Sequence, residues 1–318
     1  MFLKDVFLAA FSGIIDLHHN PLFLTHTMDS TVFAGKFGIK GNQDGPPSVS
    51  LLNRPVGLSF DNDGNLFVID ADNFAIRKIN KDGSVLTIIN IADIVFSHTT
   101  KILAHDGSIY LAHPMGIHKI HERTDKGHTI TLISEIDYSS HICPLSERHS
   151  HYLVVGREHH VLEIDNNANH SYFGTELNFL EDVAVNHAGI VFVSVSSFQT
   201  IICMWSSEFK KWIQVIGKSV NLRTFSFNGN DDIVTISTEH PPGGHSAYLL
   251  WFRRIEGSDF QSYVHTRTIN ISFQCLLPDD LVINNTGLYV CDNATHTIVR
   301  FYFIKVWSSG KIYRVISN

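Results

Sequence analysis

The feature that most constrains this chain is an internal repeat. The segment RPVGLSFDNDGNLFVIDADNFAIRKI, from Arg54, matches LPDDLVINNTGLYVCDNATHTIVRF, from Leu277. Pro55 meets Pro278 and, after one residue of slack, Gly64 meets Gly287. Leu66-Phe67-Val68 then falls on Leu288-Tyr289-Val290, Asp70 on Asp292 and Ile76 on Ile298. Weaker copies start at Lys101, His141, Leu180 and Arg223, so six units are visible, about 40 to 45 residues apart until the longer fifth. That period belongs to arrays of small supersecondary units, each too small to bury its own apolar faces.

Each unit reads as an apolar strand, a turn such as Asp63-Gly64, a strand such as LFVID, a short polar loop, a strand such as AIRKI and a fourth such as VLTII. Asn-Gly and Asp-Gly supply the positive φ that tight hairpins need. Four antiparallel strands of this length make one propeller blade, and blades must pack around an axis to bury both faces. The expected fold is therefore all-β, a single β-propeller domain over residues 1–318. Six blades are favoured and seven are the alternative. Residues 35–318 hold the repeats, and residues 1–34 hold surplus strands, FLAAFSG, PLFLTHT and STVFAG, available to close the ring. KIYRVIS, from Lys311, is the expected fourth strand of the last unit, with STVFAG the best candidate to pair with that blade.

The units resemble NHL repeats, which form six-bladed propellers. The resemblance rests on FAGKFGIKGNQDG from Phe33, Pro55-Val56-Gly57, Asp63-Gly64-Asn65, Phe67 to Asp70, Asn73, Ile76 to Ile79 and Asp82-Gly83. It spans roughly residues 31 to 303 and is clearest in the first and last units. It implies a rigid disc that recognises a protein through its loop faces, without a cofactor. Two alternatives follow from related propellers: a metal-dependent enzyme, amidating-lyase-like or lactonase-like, and a binder of single-stranded RNA.

The residues weigh these alternatives. DNDGN at Asp61 lacks the glycine and glutamate spacing of a calcium loop and reads as a hairpin turn. Of the 20 histidines, 11 lie between His105 and His170. His118 and His121 fall on opposite faces of a strand, His149 and His151 share one, and His113 takes the place of Asp70 in its unit, so a metal site or a pH-responsive surface are the options to test. No acidic residue recurs at an axial position from unit to unit, which leaves an enzyme without a visible ligand set. Carboxylates or histidines converging on the axis would reverse that reading. The net charge of −7, from 24 basic and 31 acidic residues, disfavours RNA. Arg77-Lys78, Lys210-Lys211 and Arg253-Arg254 are short basic groups an RNA binder could use, with Trp205, Trp212 and Trp251 as stacking candidates, but Arg77 and Lys78 sit mid-strand and are expected to dress a blade edge.

The candidate partner-binding residues are those least like the repeat. In EHPPGGHS they are Glu239, His240, Pro241, Pro242 and His245; in the lead-in loop they are Asn42, Gln43 and Asp44. Cys143, Cys203, Cys275 and Cys291 form no CxxC pair and read as buried thiols. No apolar run reaches the length of a membrane span. The run MFLKDVFLAAFSGII loosely resembles a signal-peptide core, so secretion is the alternative to a favoured cytoplasmic location.

Overall fold

The computed structural model describes residues 28–316 except 93, 95, 98–99, 114–115, 123–127, 135–141, 145–150, 156–159, 166–168, 197–199, 220–221, 240–245, 256–262, 273 and 309–310. FLAAFSG and PLFLTHT lie outside the described residues. The rest is strand and turn, with one 3-10 turn at Ala71–Asn73. No helix among the described residues is long and apolar enough to cross a membrane, which says nothing of a β-barrel.

Strand β1 (Ser30–Gly35) comes first. The first blade follows as β2 (Pro55–Phe60), β3 (Leu66–Asp70), β4 (Ala75–Ile79) and β5 (Val85–Asn90). The second is β6 (Lys101–His105), β7 (Ser108–His113), β8 (Gly116–Glu122) and β9 (His128–Ser134). The third is β10 (Ile142–Pro144), β11 (His151–Val155), β12 (Val161–Asp165) and β13 (His170–Phe173). The fourth is β14 (Leu180–Val185), β15 (Val191–Ser196), β16 (Thr200–Ser206) and β17 (Lys211–Ser219). The fifth is β18 (Leu222–Phe227), β19 (Ile233–Glu239), β20 (Ser246–Arg254) and β21 (Tyr263–Asn270). The chain ends with β22 (Pro278–Asn284), β23 (Gly287–Asp292), β24 (Thr297–Phe301), β25 (Phe303–Ser308) and β26 (Lys311–Ile316).

Five blades, rather than the six expected, are runs of four consecutive strands. The remaining four-stranded sheet is composite: β22, β23 and β24 take β1 as their fourth strand, with Ser30 opposite Phe301 and Gly35 opposite Thr297. STVFAG thus pairs with the last repeat, and KIYRVI does not. One edge of β24 is held by β23 and the other by β1, so no edge is left for β26, which pairs only with β25.

In the first, fifth and composite sheets the outer strand is more exposed than the strands inside it. In β3 all five residues are buried, because neighbouring blades cover both faces, whereas the outer β13 is mostly exposed. That gradient explains why inner strands are near-continuous apolar runs and outer strands alternate. Each core cluster joins two consecutive sheets. Val56, Ile69 and Ile76 pack on Ile102, Leu111 and Ile120, and Leu58, Val68 and Ile79 pack on Tyr289, Cys291 and Ile298. The second cluster joins the last repeat to the first blade, so the sheets form a closed ring. Around the axis the inner strands touch in the order β2, β6, β10, β14, β18, β22 and again β2.

Closure is reinforced across the face where second strands meet third strands. Arg54 N–H donates to His296 Nδ1 at 3.1 Å and Gly38 N–H to the Thr295 carbonyl at 2.9 Å. Gly35 allows the approach: its φ is +82°, and a Cβ there would overlap the His296 carbonyl oxygen.

Candidate functional site

The axis is where a propeller brings residues from every blade together. The inner strands carry β-bulges between Pro55 and Gly57, Leu180 and Asp182, and Pro278 and Asp280. A bulge re-aims the side chain next to it. Asp182 and Asp280 each follow one, and both take part in a buried network with Lys101 and Thr224; all four are less than 8% exposed. Lys101 Nζ lies 3.3 Å from Asp280 Oδ1. Thr224 Oγ1 lies 3.2 Å from Asp280 Oδ1 and 3.1 Å from Asp182 Oδ2.

Backbone donors satisfy the carboxylates. Asp280 Oδ2 accepts from Leu58 N–H of the first blade at 3.1 Å, and Oδ1 from Leu281 N–H at 3.0 Å. Asp182 Oδ2 accepts from Phe225 N–H of the fifth blade at 3.2 Å, and Oδ1 from Val183 N–H at 2.7 Å. Ser59 Oγ accepts from Ala104 N–H at 2.9 Å, a third clasp from one inner strand to the next. These contacts tie neighbouring blades together, and every carboxylate oxygen of the pair has a donor.

This corrects the expectation that no acidic residue recurs at an axial position, since Asp182 and Asp280 hold equivalent places in two sheets. The equivalent inner-strand places hold Gly57, Lys101, Asp182, Thr224 and Asp280, so aspartate recurs only twice and is answered by a lysine and a threonine elsewhere in the column. A search for one recurring residue type misses such a set. Signed charge read down the aligned column would have found it.

Burial pushes the Asp182 carboxyl up to about 7, against the opposing pull of Lys101 and the hydrogen bonds from Phe225 and Thr224, while Asp280 adds to the rise. Burial pulls the Lys101 ammonium down, but the charges of Asp280, Asp279 and Asp182 outweigh it and the net shift is upward. Below the ordinary carboxylate value of 3.8 Asp182 is protonated in both states and contributes nothing to pH dependence. Between 3.8 and about 7 the unfolded chain has released a proton that the fold retains, so stability falls as pH rises. Above about 7 the whole cost is present. Urea midpoints at pH 5 and pH 8 measure it: the wild type is expected to be more stable at pH 5, and Asp182→Asn to flatten that slope.

A second polar centre holds the lead-in loop. Arg77 is buried on β4, not placed on a blade edge as expected for a strand arginine. Its guanidinium donates to Asp70 Oδ2 at 2.8 Å, to Asp44 Oδ1 at 2.7 Å, and to Asn42 Oδ1 and Thr87 Oγ1. Asp70 also accepts from Asn53 N–H and Asn73 Nδ2, both at 2.7 Å. Burial raises the Asp70 carboxyl, opposed by Asn73, Asn53 and Arg77. Asp292 clasps the loop before its own sheet in the same way, through Leu277 N–H at 3.1 Å.

The remaining candidates divide clearly. Asn42 and Asp44 face Arg77, and Gln43 exchanges backbone hydrogen bonds with Leu51. Glu239 ends β19 opposite Ser246; its side chain and His240, Pro241, Pro242 and His245 lie outside the described residues. His149 and the side chain of His151 also lie outside them. His113 Nε2 and His118 Nδ1 are 2.7 Å apart with stacked rings, and burial pushes His113 down to about 4 and His118 down as well. His113 therefore stays neutral through the range in which a histidine switch would act. Among the described residues no group of three His, Cys, Asp or Glu could hold a metal ion. Trp251 is buried, and Trp205 and Trp212 pack edge to face with Phe173 beside them. Cys203, Cys275 and Cys291 are buried free thiols.

Solved structures match this arrangement. The pyranose dehydrogenase PQQ domain from Coprinopsis cinerea superposes with a TM-score of 0.59 at 10% identity, over 89% of this chain and 99% of that one. The chain is a β-propeller. A structural genomics protein of unknown function from Bacteroides thetaiotaomicron has a TM-score of 0.60 at 10% identity, covering 87% and 76%. A gluconolactonase from Xanthomonas campestris has 0.54 at 8% identity, covering 79% and 86%. No protein-family model matches the propeller's sequence, and no curated protein does. At these identities the likeness is one of fold alone.

Proposed function

We propose that this propeller is a non-catalytic recognition disc, NHL-like and six-bladed with the composite sheet as its sixth blade, that binds a protein partner through its loops. Two carboxylates do converge on the axis, the pattern expected of an enzyme, and what supports the recognition reading against it is that both are already engaged by the protein. There an internal ammonium, Lys101, lies between carboxylates whose oxygens are already satisfied. A calcium site needs six to eight oxygen ligands. Asp182 and Asp280 are already bonded, and they share the axis with Asp279, Thr224 and a resident cation, so the set does not fit calcium.

In a four-stranded meander, turns between second and third strands emerge on the same side as the connections between blades. Glu239, which ends the second strand β19, and the lead-in loop are on that side. Phe74, 43% exposed at φ +51°, and Phe179, 56% exposed at φ +62°, also lie on that side. Left-handed backbone at an aromatic residue is costly, and an exposed aromatic held that way is a mark of a contact surface.

A second reading is an enzyme acting on a sugar-like substrate with Asp182 as the proton-carrying group. Its carboxyl near 7 favours it, and the similar structures include a gluconolactonase and a PQQ domain of a pyranose dehydrogenase. Lactone hydrolysis and sugar oxidation assays separate the two. The recognition reading expects no rate above the uncatalysed reaction; turnover that disappears in Asp182→Asn would establish the enzyme instead.

A further inference from the structure

Two surfaces at opposite ends of β2 complement each other. The first is the turn Lys36-Phe37-Gly38-Ile39-Lys40, held by Ile39 N–H on the Lys36 carbonyl at 2.9 Å, Gly38 N–H on Thr295 and Gly41 N–H on the Leu52 carbonyl at 3.0 Å. Phe37 and Ile39 are 52% and 53% exposed. Neither Lys36 nor Lys40 has a carboxylate partner among the described residues. The turn is a pre-shaped apolar knob with two positive charges beside it.

The second surface is a cleft of about 330 Å³ between the β2–β3 and β6–β7 turns. Phe67, Ile88 and Ile109 line its apolar part, and Asp61, Asp63 and Asp106 its acidic part. Lys78, 3.8 Å from Asp61, His105, 3.4 Å from Asp106, and Lys81, whose side-chain end lies beside Gly64 of the β2–β3 turn, stand against the carboxylates. Three carboxylates face two lysines, so negative charge is in excess. The two surfaces are separated by the six residues of β2, roughly 20 Å, and face opposite ways.

We infer that the protein associates head to tail with a second copy of itself, the Lys36–Lys40 knob of one disc entering the acidic cleft of the next. The inference rests on the reading of the disc as a recognition surface and names its partner. The occupant follows from complementarity: an apolar knob with positive neighbours meets an apolar cleft with negative ones on the same chain. Such a contact is heterologous, so it leaves one free knob and one free cleft and extends into stacks. Because exposed charges contribute, association weakens as salt rises.

Sedimentation velocity of the full chain tests it across low to high micromolar concentrations, in low and high salt. The expected result is concentration-dependent association that weakens with salt. Phe37→Ser with Ile39→Ser should weaken it tenfold or more, on the order expected for apolar anchors. Asp63→Lys with Asp106→Asn should do the same from the other side; asparagine suits Asp106, whose φ is +48°. Thermal melts confirm that these exposed substitutions leave the fold intact. The decisive step mixes the two variants, each with one intact surface, which should form a one-to-one dimer that stops growing. A wild type that stays monomeric overturns the inference while leaving recognition of another protein standing. So does association unchanged by either variant, or a mixture that remains monomeric.

Discussion

A chain that begins at Lys36 is expected to lose its cooperative unfolding transition or to melt far below the full protein. Removing β1 exposes the full edge of β24, uncovering backbone groups that Ser30 to Gly35 now pair. It also removes Ala34, fully buried between the last sheet and the first blade, and Met28, buried against the last two sheets. Phe33, whose ring meets Tyr289 edge to face at 5.0 Å with Arg300 stacked nearby, goes too. Burial of this kind is worth about 1.5–3 kcal/mol per large side chain. Together with the lost strand pairing, the deficit is about 5 kcal/mol or more, a large share of a domain's whole stability. Gly35→Ala probes the same junction by one residue, through positive φ and the clash with His296. Gly38→Ala, also at positive φ but with nothing near its added Cβ, should cost less. Trimming β25 and β26, which pair only with each other, should cost less than losing β1. Urea titration of the four proteins measures the ranking; a β1-less chain as stable as the full one would show that the ring is closed elsewhere.

Lys101→Met is the second large effect expected. Methionine keeps the aliphatic length and removes the charge, leaving Asp280 and Asp182 buried without their cation. Breaking a buried ion pair by removing one partner costs about 3–5 kcal/mol, because the surviving charge remains desolvated. The loss should shrink as pH falls, because removing the cation raises still further the Asp182 carboxyl, already held at about 7. Adding Asp280→Asn to Lys101→Met should recover part of the loss, since it removes the charge left behind. Urea unfolding of the single and double variants tests this. Equal stability of Lys101→Met and wild type would mean that the ammonium has no role at the axis.

Much of the architecture was legible in the repeat from Arg54 to Ile79, because turn chemistry and apolar runs recur with every blade. Blade closure was half legible: STVFAG was a candidate by pattern, but KIYRVI carried the same alternation, and pairing to β24 is decided by long-range contacts. Arg77 was misread because a basic residue on a strand looks exposed until Asn42, Asp44 and Asp70 are brought around it. The axial set was hidden for a different reason. Lys101, Thr224, Asp182 and Asp280 work by complementing one another, and alignment rewards sameness. The loop residues from His240 to His245 depart from the repeat, so pattern could single them out but could not say what they contact.

The most direct test of the account is the metal content and calcium affinity of the purified protein, measured by elemental analysis and by titration calorimetry. An axis already occupied by the Lys101 ammonium predicts no stoichiometric zinc or calcium and no heat of calcium binding. One tightly held metal ion per chain, lost on replacing Asp182 or Asp280 in a variant that still folds, would contradict it and make the axis a metal-dependent active site.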